Sequence, residues 1–314
     1  MRRFAWLGIV MVVAGCGVLG DDSDAVRYVA IADAPQTPAA VPPTADASTG
    51  TWRVDCGRNE RGIRNSDNLV VNPGVVGAAH HLHDYVGNVS TTAFSTDRSL
   101  AAAATTCKGG DKSSYYWPVV RVPGDDDMSG MSSAEHDAHG NEGRVLPPAS
   151  VSIEFRGSPV SDVVPMPEFL RTATGNAHGF SQGGKHTDHL QWTCSGARDR
   201  VAKDYPRCPD GQQVIRVFDF PSCWNGKSLD SPDHSSHLVF PNAAGGCPPG
   251  FFPVPQLHLE IGYDVPKGAD YSVDTFPEDG RSALADHSHF INVMQPALMG
   301  RLVACLNEDK RCTA

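Results

Sequence analysis

Most of the 13 histidines of this 314-residue chain stand in short groups with carboxylates. The groups are His81-Leu82-His83-Asp84, His186-Thr187-Asp188-His189, Asp233-His234-Ser235-Ser236-His237, His258-Leu259-Glu260 and Asp286-His287-Ser288-His289. A neutral imidazole offers a lone pair to a divalent ion, and its second nitrogen can be oriented by a carboxylate or carbonyl. The spacing therefore predicts a histidine-lined polar site. Its metal ligands would come from His81, His83, His234, His237, His258, His287 and His289, and the ion would be zinc or copper. Glu260, Asp84 and Asp233 are the candidate general acids or bases. A single site requires His83, His234, His258 and His287 to converge on one cleft.

Each group also has a bland reading. His81 and His83 on a strand would share a face, but could equally bond loop carbonyls. His234 and His237 could pin a turn capped by Asp233. His186 and His189 follow Gly183-Gly184-Lys185 and suit a surface loop. Met128, Met131, His136 and His139, beside Asp125-Asp126-Asp127, could suggest copper, although a solvated acidic insertion explains them as well.

The amino end predicts where the protein works. Arg2 and Arg3 precede an apolar run, Phe4 to Val13, that ends at Val13-Ala14-Gly15-Cys16. That run is shorter than the about 20 residues needed to span a bilayer, and the pattern is that of a bacterial lipoprotein signal. Residues 1–15 would be removed, leaving Cys16 lipidated and the protein anchored to the outside of the cell membrane. Residues 16–50, rich in Ala, Pro, Thr, Ser and Asp, read as a disordered tether, and 51–314 as one folded domain. The other eight cysteines are even in number and lack zinc-finger spacing, as expected for disulfides in an oxidising compartment. Proximity pairs Cys194 with Cys208, Cys223 with Cys247 and Cys305 with Cys312, which leaves Cys56 for Cys107.

The elements that must position these residues read as strands. Gly (31) and Pro (24) are abundant and the periodic segments short, which predicts a mainly β, single sandwich or jelly-roll-like domain with long disulfide-stapled loops. Candidate strands are 115–122, 151–155, 213–218, 237–240 and 256–263. In the last, Leu257, Leu259 and Ile261 alternate with His258 and Glu260, so that core and pocket wall would share one strand. A C-terminal helix begins near Pro296 with Leu298, Leu302, Cys305 and Leu306 as its apolar stripe.

A formal charge of −10, more negative once Arg2 and Arg3 leave, argues against nucleic acid. No phosphate loop, dinucleotide fingerprint, serine-hydrolase elbow or His-Glu-x-x-His helix is present, so nucleotide, serine-hydrolase and thermolysin-like chemistry are not expected.

Four motifs resemble the DUF1996 family of secreted proteins. They are Asn72-Pro73-Gly74 with His81-Leu82-His83; Thr105-Thr106-Cys107 with Asp111-Lys112-Ser113-Ser114-Tyr115-Tyr116-Trp117-Pro118; the long Phe220-Pro221-Ser222-Cys223-Trp224-Asn225 to His237 segment; and His287-Ser288-His289-Phe290-Ile291-Asn292. The resemblance runs over about residues 68 to 292. It carries no mechanism, but relatives joined to carbohydrate-binding modules imply action on or near polysaccharide. The chain departs from the family at His289, where Asp is usual, and at Val293-Met294, where Gly-Trp is usual. Three functions follow as expectations: an envelope lipoprotein acting on polysaccharide with metal help; a zinc- or copper-binding protein without turnover; and a glycan-binding lipoprotein whose Tyr116, Trp117 and Trp224 stack on sugars.

Overall fold

The computed structural model describes residues 25–125 and 140–314. Arg2, Arg3, Cys16, Met128, Met131, His136 and His139 lie outside the described residues, as do the leader and the lipidation site. Two antiparallel sheets stack face to face. The larger has the order Leu190–Cys194, Val214–Asp219, Gln256–Tyr263, Ser150–Arg156, Thr51–Val54, Arg311–Thr313, with the last pair parallel. The smaller has the order Arg64–Asn65, His83–Gly87, Ser114–Pro118, His287–Ile291, Arg171–Gly175. Its inner face presents Tyr115, Trp117 and Phe290 to Phe155, Trp192, Phe218, Leu257 and Leu259 of the larger sheet, in one apolar core. The mainly β sandwich expected from the sequence is therefore present. The helix Pro296–Asn307 closes it with Leu298, Leu302, Cys305 and Leu306 buried.

Period-two patterning explains the strand that reads most clearly. Leu257, Leu259 and Ile261 are buried in the core while His258 and Glu260 take the opposite face. The three disulfides expected from proximity, Cys194–Cys208, Cys223–Cys247 and Cys305–Cys312, and the Cys56–Cys107 pair left by elimination are all formed.

The disordered tether does not reach residue 50. Tyr28–Ala30 pairs in parallel with Tyr205–Arg207, the Tyr28 hydroxyl donates to the Tyr271 carbonyl at 2.6 Å, and Ala25, Ile31 and Ala34 are buried. One three-residue pairing and scattered small side chains leave no periodicity to read, yet they bury enough surface to hold the segment on the domain.

A buried charged tie joins the sheets. Arg216, on the larger sheet, donates to Asp286 through Nε at 3.1 Å and also through Nη2, to the Pro118 carbonyl at 2.7 Å and to the Tyr263 hydroxyl at 3.1 Å. Arg216 and Asp286 are fully enclosed. Removing one partner would strand a charge, at a cost of about 3–5 kcal/mol. Arg216→Met is accordingly expected to lower the unfolding free energy by roughly that amount in urea titration; a change within experimental error would show that the pair does not tie the sheets.

Candidate metal centre

The outer face of the smaller sheet is built in rows. In one row Tyr85, Tyr116 and His289 lie side by side across three strands, because Tyr116 is in register with both of the others. Their rings stack, Tyr85 on Tyr116 at 4.8 Å and Tyr116 on His289 at 4.6 Å between centroids. In the adjacent row His83 is opposite Pro118, and His287 is two residues along from His289. The small Pro118 side chain between them lets both imidazoles lean together. On the far side of His287 stands Gly175 at φ +79°, where a Cβ would come within 2.2 Å of the Asp286 carbonyl oxygen. Only glycine tolerates both that backbone and that approach.

His81, in the turn just before the strand, completes a triad. The Nε2 atoms of His81, His83 and His287 are 3.2, 3.3 and 3.4 Å apart. An ion bound tetrahedrally by imidazoles at about 2.0–2.1 Å has ligand atoms about 3.3–3.4 Å apart, so the three nitrogens already outline one face of such a tetrahedron. The other ring nitrogens explain the orientation. His83 Nδ1 donates to the Asp67 carbonyl at 3.2 Å and His287 Nδ1 to the Ala285 carbonyl at 2.8 Å, which leaves lone pairs on both Nε2 atoms. A proton on His81 Nε2 could satisfy one of those lone pairs but not both at once. A single cation at the centre satisfies all three.

The loop that carries the Asp67 carbonyl is itself pinned. The Asp67 carboxylate accepts from the backbone N–H groups of Gly77 and Ala93 at 2.9 and 2.8 Å. Asn68 accepts from the Tyr116 hydroxyl at 3.2 Å and lies 3.2 Å from His289 Nε2, so its amide fixes that ring as well. Burial holds His81, His83 and His289 well below the ordinary imidazole range and brings His287 down to about 4. The triad is neutral at pH 7 and need lose no proton to bind an ion.

Of the residues expected to line a site, the structure brings His81, His83 and His287 together, with His289 beside them. His289 shares edge contacts with His83 and His287 at 5.7 and 5.2 Å, but its Nε2 is committed to Asn68. The others are not ligands of the triad: His258 is on the other sheet, so the four-histidine cleft does not form, while His234 stays near enough to His289 to lower it. His258 lies on the outer face of the larger sheet, Nδ1 at 2.7 Å from Asp219 and Nε2 at 3.0 Å from Glu260; both nitrogens are occupied. His237 likewise uses Nδ1 on the Ser231 hydroxyl (2.9 Å) and Nε2 on the Arg171 carbonyl (2.7 Å). His234 Nδ1 is held by Asp230 at 3.0 Å.

The three candidate carboxylates lie outside the triad, each with partners of its own. Asp84, next to His83, points to the opposite face because strand side chains alternate; Arg64 and Asn59 bind it at 2.8 and 2.7 Å. Asp233 accepts from Ser231 and from Ser236, backbone and hydroxyl, at 2.7–3.0 Å, and these bonds lower its carboxyl. Burial would raise Glu260, but His258 and Arg198 outweigh it and bring the carboxyl down to about 2. Asp84 goes the other way: its enclosure raises the carboxyl, and the Arg64 and Asn59 contacts only partly offset that. Tyr116 and Trp117 are wholly buried and offer no surface to a sugar; Trp224 is half-buried, its Nε1 bonded to the Ser228 carbonyl at 2.7 Å.

A family model described as a domain of unknown function (DUF1996) matches residues 68–292. The chain belongs to the DUF1996 family. No curated protein and no solved structure matches it. The DUF1996 segment contains all three triad histidines, whereas the strands Thr51–Val54 and Arg311–Thr313 and the C-terminal helix lie outside it. The three triad histidines are thus supplied by the family segment, while the Asp67 carbonyl and the edge strand Arg64–Asn65 come from just ahead of it. Two contributors gave no signal in the sequence: Asn68 and Asp67 act through an amide and a main-chain carbonyl, which no residue pattern reports.

The burial of the triad has a sign that can be measured. An unfolded imidazole takes a proton near pH 6.5, while folded His287 does so only near 4. The unfolded state therefore binds more protons between these values, and stability falls as pH drops through that window, by about 3 kcal/mol from His287 alone. Urea unfolding of the metal-free protein at pH 8, 6, 5 and 4 should show the loss; constant stability would mean that the triad is not buried as described.

Proposed function

We propose that this is an exported, lipid-anchored envelope protein that binds a divalent ion of the zinc class at His81, His83 and His287. The observation that carries the reading is the triangle of lone-pair nitrogens 3.2–3.4 Å on a side, which matches tetrahedral zinc. Imidazole ligands suit zinc and copper, and geometry favours zinc over square-planar copper(II), whose adjacent ligands at about 2.0 Å would stand only about 2.8 Å apart. Three protein ligands leave a fourth corner for water or a small anion. The triad histidines are at most 2% exposed, so a polysaccharide chain has no access to them.

Export and anchoring rest on the signal-like amino end, with the disulfides in support. Action on polysaccharide has one observation in its favour: Asp219 and Glu260 flank His258 at the surface, each carboxylate a quarter exposed. His258 is raised there, because the two carboxylates outweigh burial, which favours the protonated ring that a general acid needs. Glycan turnover abolished by Glu260→Gln with metal content unchanged would favour that reading.

Zinc measured by plasma mass spectrometry on the full chain, purified without added metal or chelator, should approach about one equivalent and vanish in His83→Gln and His287→Gln, both still folded by circular dichroism. A chelator should also lower the melting temperature of the wild type. Metal retained in both variants would refute the proposal.

A further inference from the structure

Outside the buried triad a second group of potential ligands stands in a different chemical setting. His178 Nδ1 lies 3.2 Å from Asp279 Oδ2 and 3.5 Å from Glu278 Oε1, and the three ligand atoms all fall within 4.8 Å of one another. Asp279 is fully buried, His178 is half-buried and Glu278 is exposed, so the group is open on one side. The turn Pro277–Asp279, closed by Gly280 in the left-handed region, sets the two carboxylates. The Ser181 N–H donates to Asp279 Oδ1 at 2.9 Å and leaves Oδ2 facing His178.

Phe276 connects this group to the triad. One face of its ring stacks on His178 at 4.2 Å, and His81 meets it edge-on at 5.3 Å.

We infer that His178, Glu278 and Asp279 form an outer divalent-cation site of harder character than the triad, with waters completing its shell. One imidazole and two carboxylates suit a six-coordinate ion such as Mn(II). Ligand atoms of an octahedral ion with bonds of about 2.1–2.4 Å stand about 3.0–3.4 Å apart, close to the spacings observed. The triad, with three imidazoles and no carboxylate, selects the opposite way. The outer site stands independently of the zinc reading.

The test is a Mn(II) titration of the zinc-supplemented full chain, followed by the loss of the six-line paramagnetic resonance signal of free Mn(II). The wild type should take up about one Mn(II). Glu278→Ala, which alters an exposed side chain, and His178→Asn should each weaken that binding at least about tenfold. No Mn(II) uptake by the wild type, or uptake unchanged in both variants, would overturn the outer site. Zinc measured on the same samples separates the two claims: Mn(II) bound and lost in the variants, without zinc at the triad, would leave the outer site standing and remove the zinc centre.

Discussion

The enclosed ion pair between Arg216 and Asp286 is the constraint on which the rest of the architecture depends. It is made across the sandwich, so it fixes the smaller sheet against the larger one. It also reaches the metal centre from behind. Arg216 binds the carbonyl of Pro118, the residue over which His83 and His287 meet, and Asp286 Oδ1 accepts the backbone N–H of His287 at 2.9 Å. A charge buried in this way is tolerated only when every donor and acceptor is matched, and that requirement locks the strands at the positions that bring the imidazoles together.

On the outer face the constraint is of another kind. Three neutral imidazoles in near contact are unfavourable when two must present lone pairs, and the loop of Asp67 and Asn68 together with the Tyr85, Tyr116 and His289 stack hold them there nonetheless. Enforced convergence of lone pairs is what a preorganised ion site consists of. The larger sheet shows the contrast. There His258 is charge-matched by Asp219 and Glu260, and Glu154 by Arg53 and Arg156, a surface network that is already satisfied.

How much was legible follows from which forces act locally. The Gln256–Tyr263 strand, the C-terminal helix and three of the disulfides were readable, because alternation, a stripe and close cysteines are properties of short segments; Cys56–Cys107, 51 residues apart, followed only by elimination. His81, His83 and His287 were among the candidates by type and spacing, but their selection over His234, His237 and His258 was not. Selection depends on strand register across some 200 residues of sequence, and register is set by long-range pairing. Asp84 shows the same limit at short range: adjacent to His83, it faces the opposite side because strand side chains alternate, and with both faces of the strand buried the sequence pattern does not say which face carries the site. The packing of Tyr28–Ala30 was invisible for want of periodicity.

Zinc K-edge absorption on the metal-loaded protein examines the central claim directly, since it reads the ligand shell itself. Zinc at the triad would show four light scatterers at about 2.0 Å with the outer-shell signature of three imidazoles. A shell containing sulfur, or one with no more than a single imidazole, would contradict it.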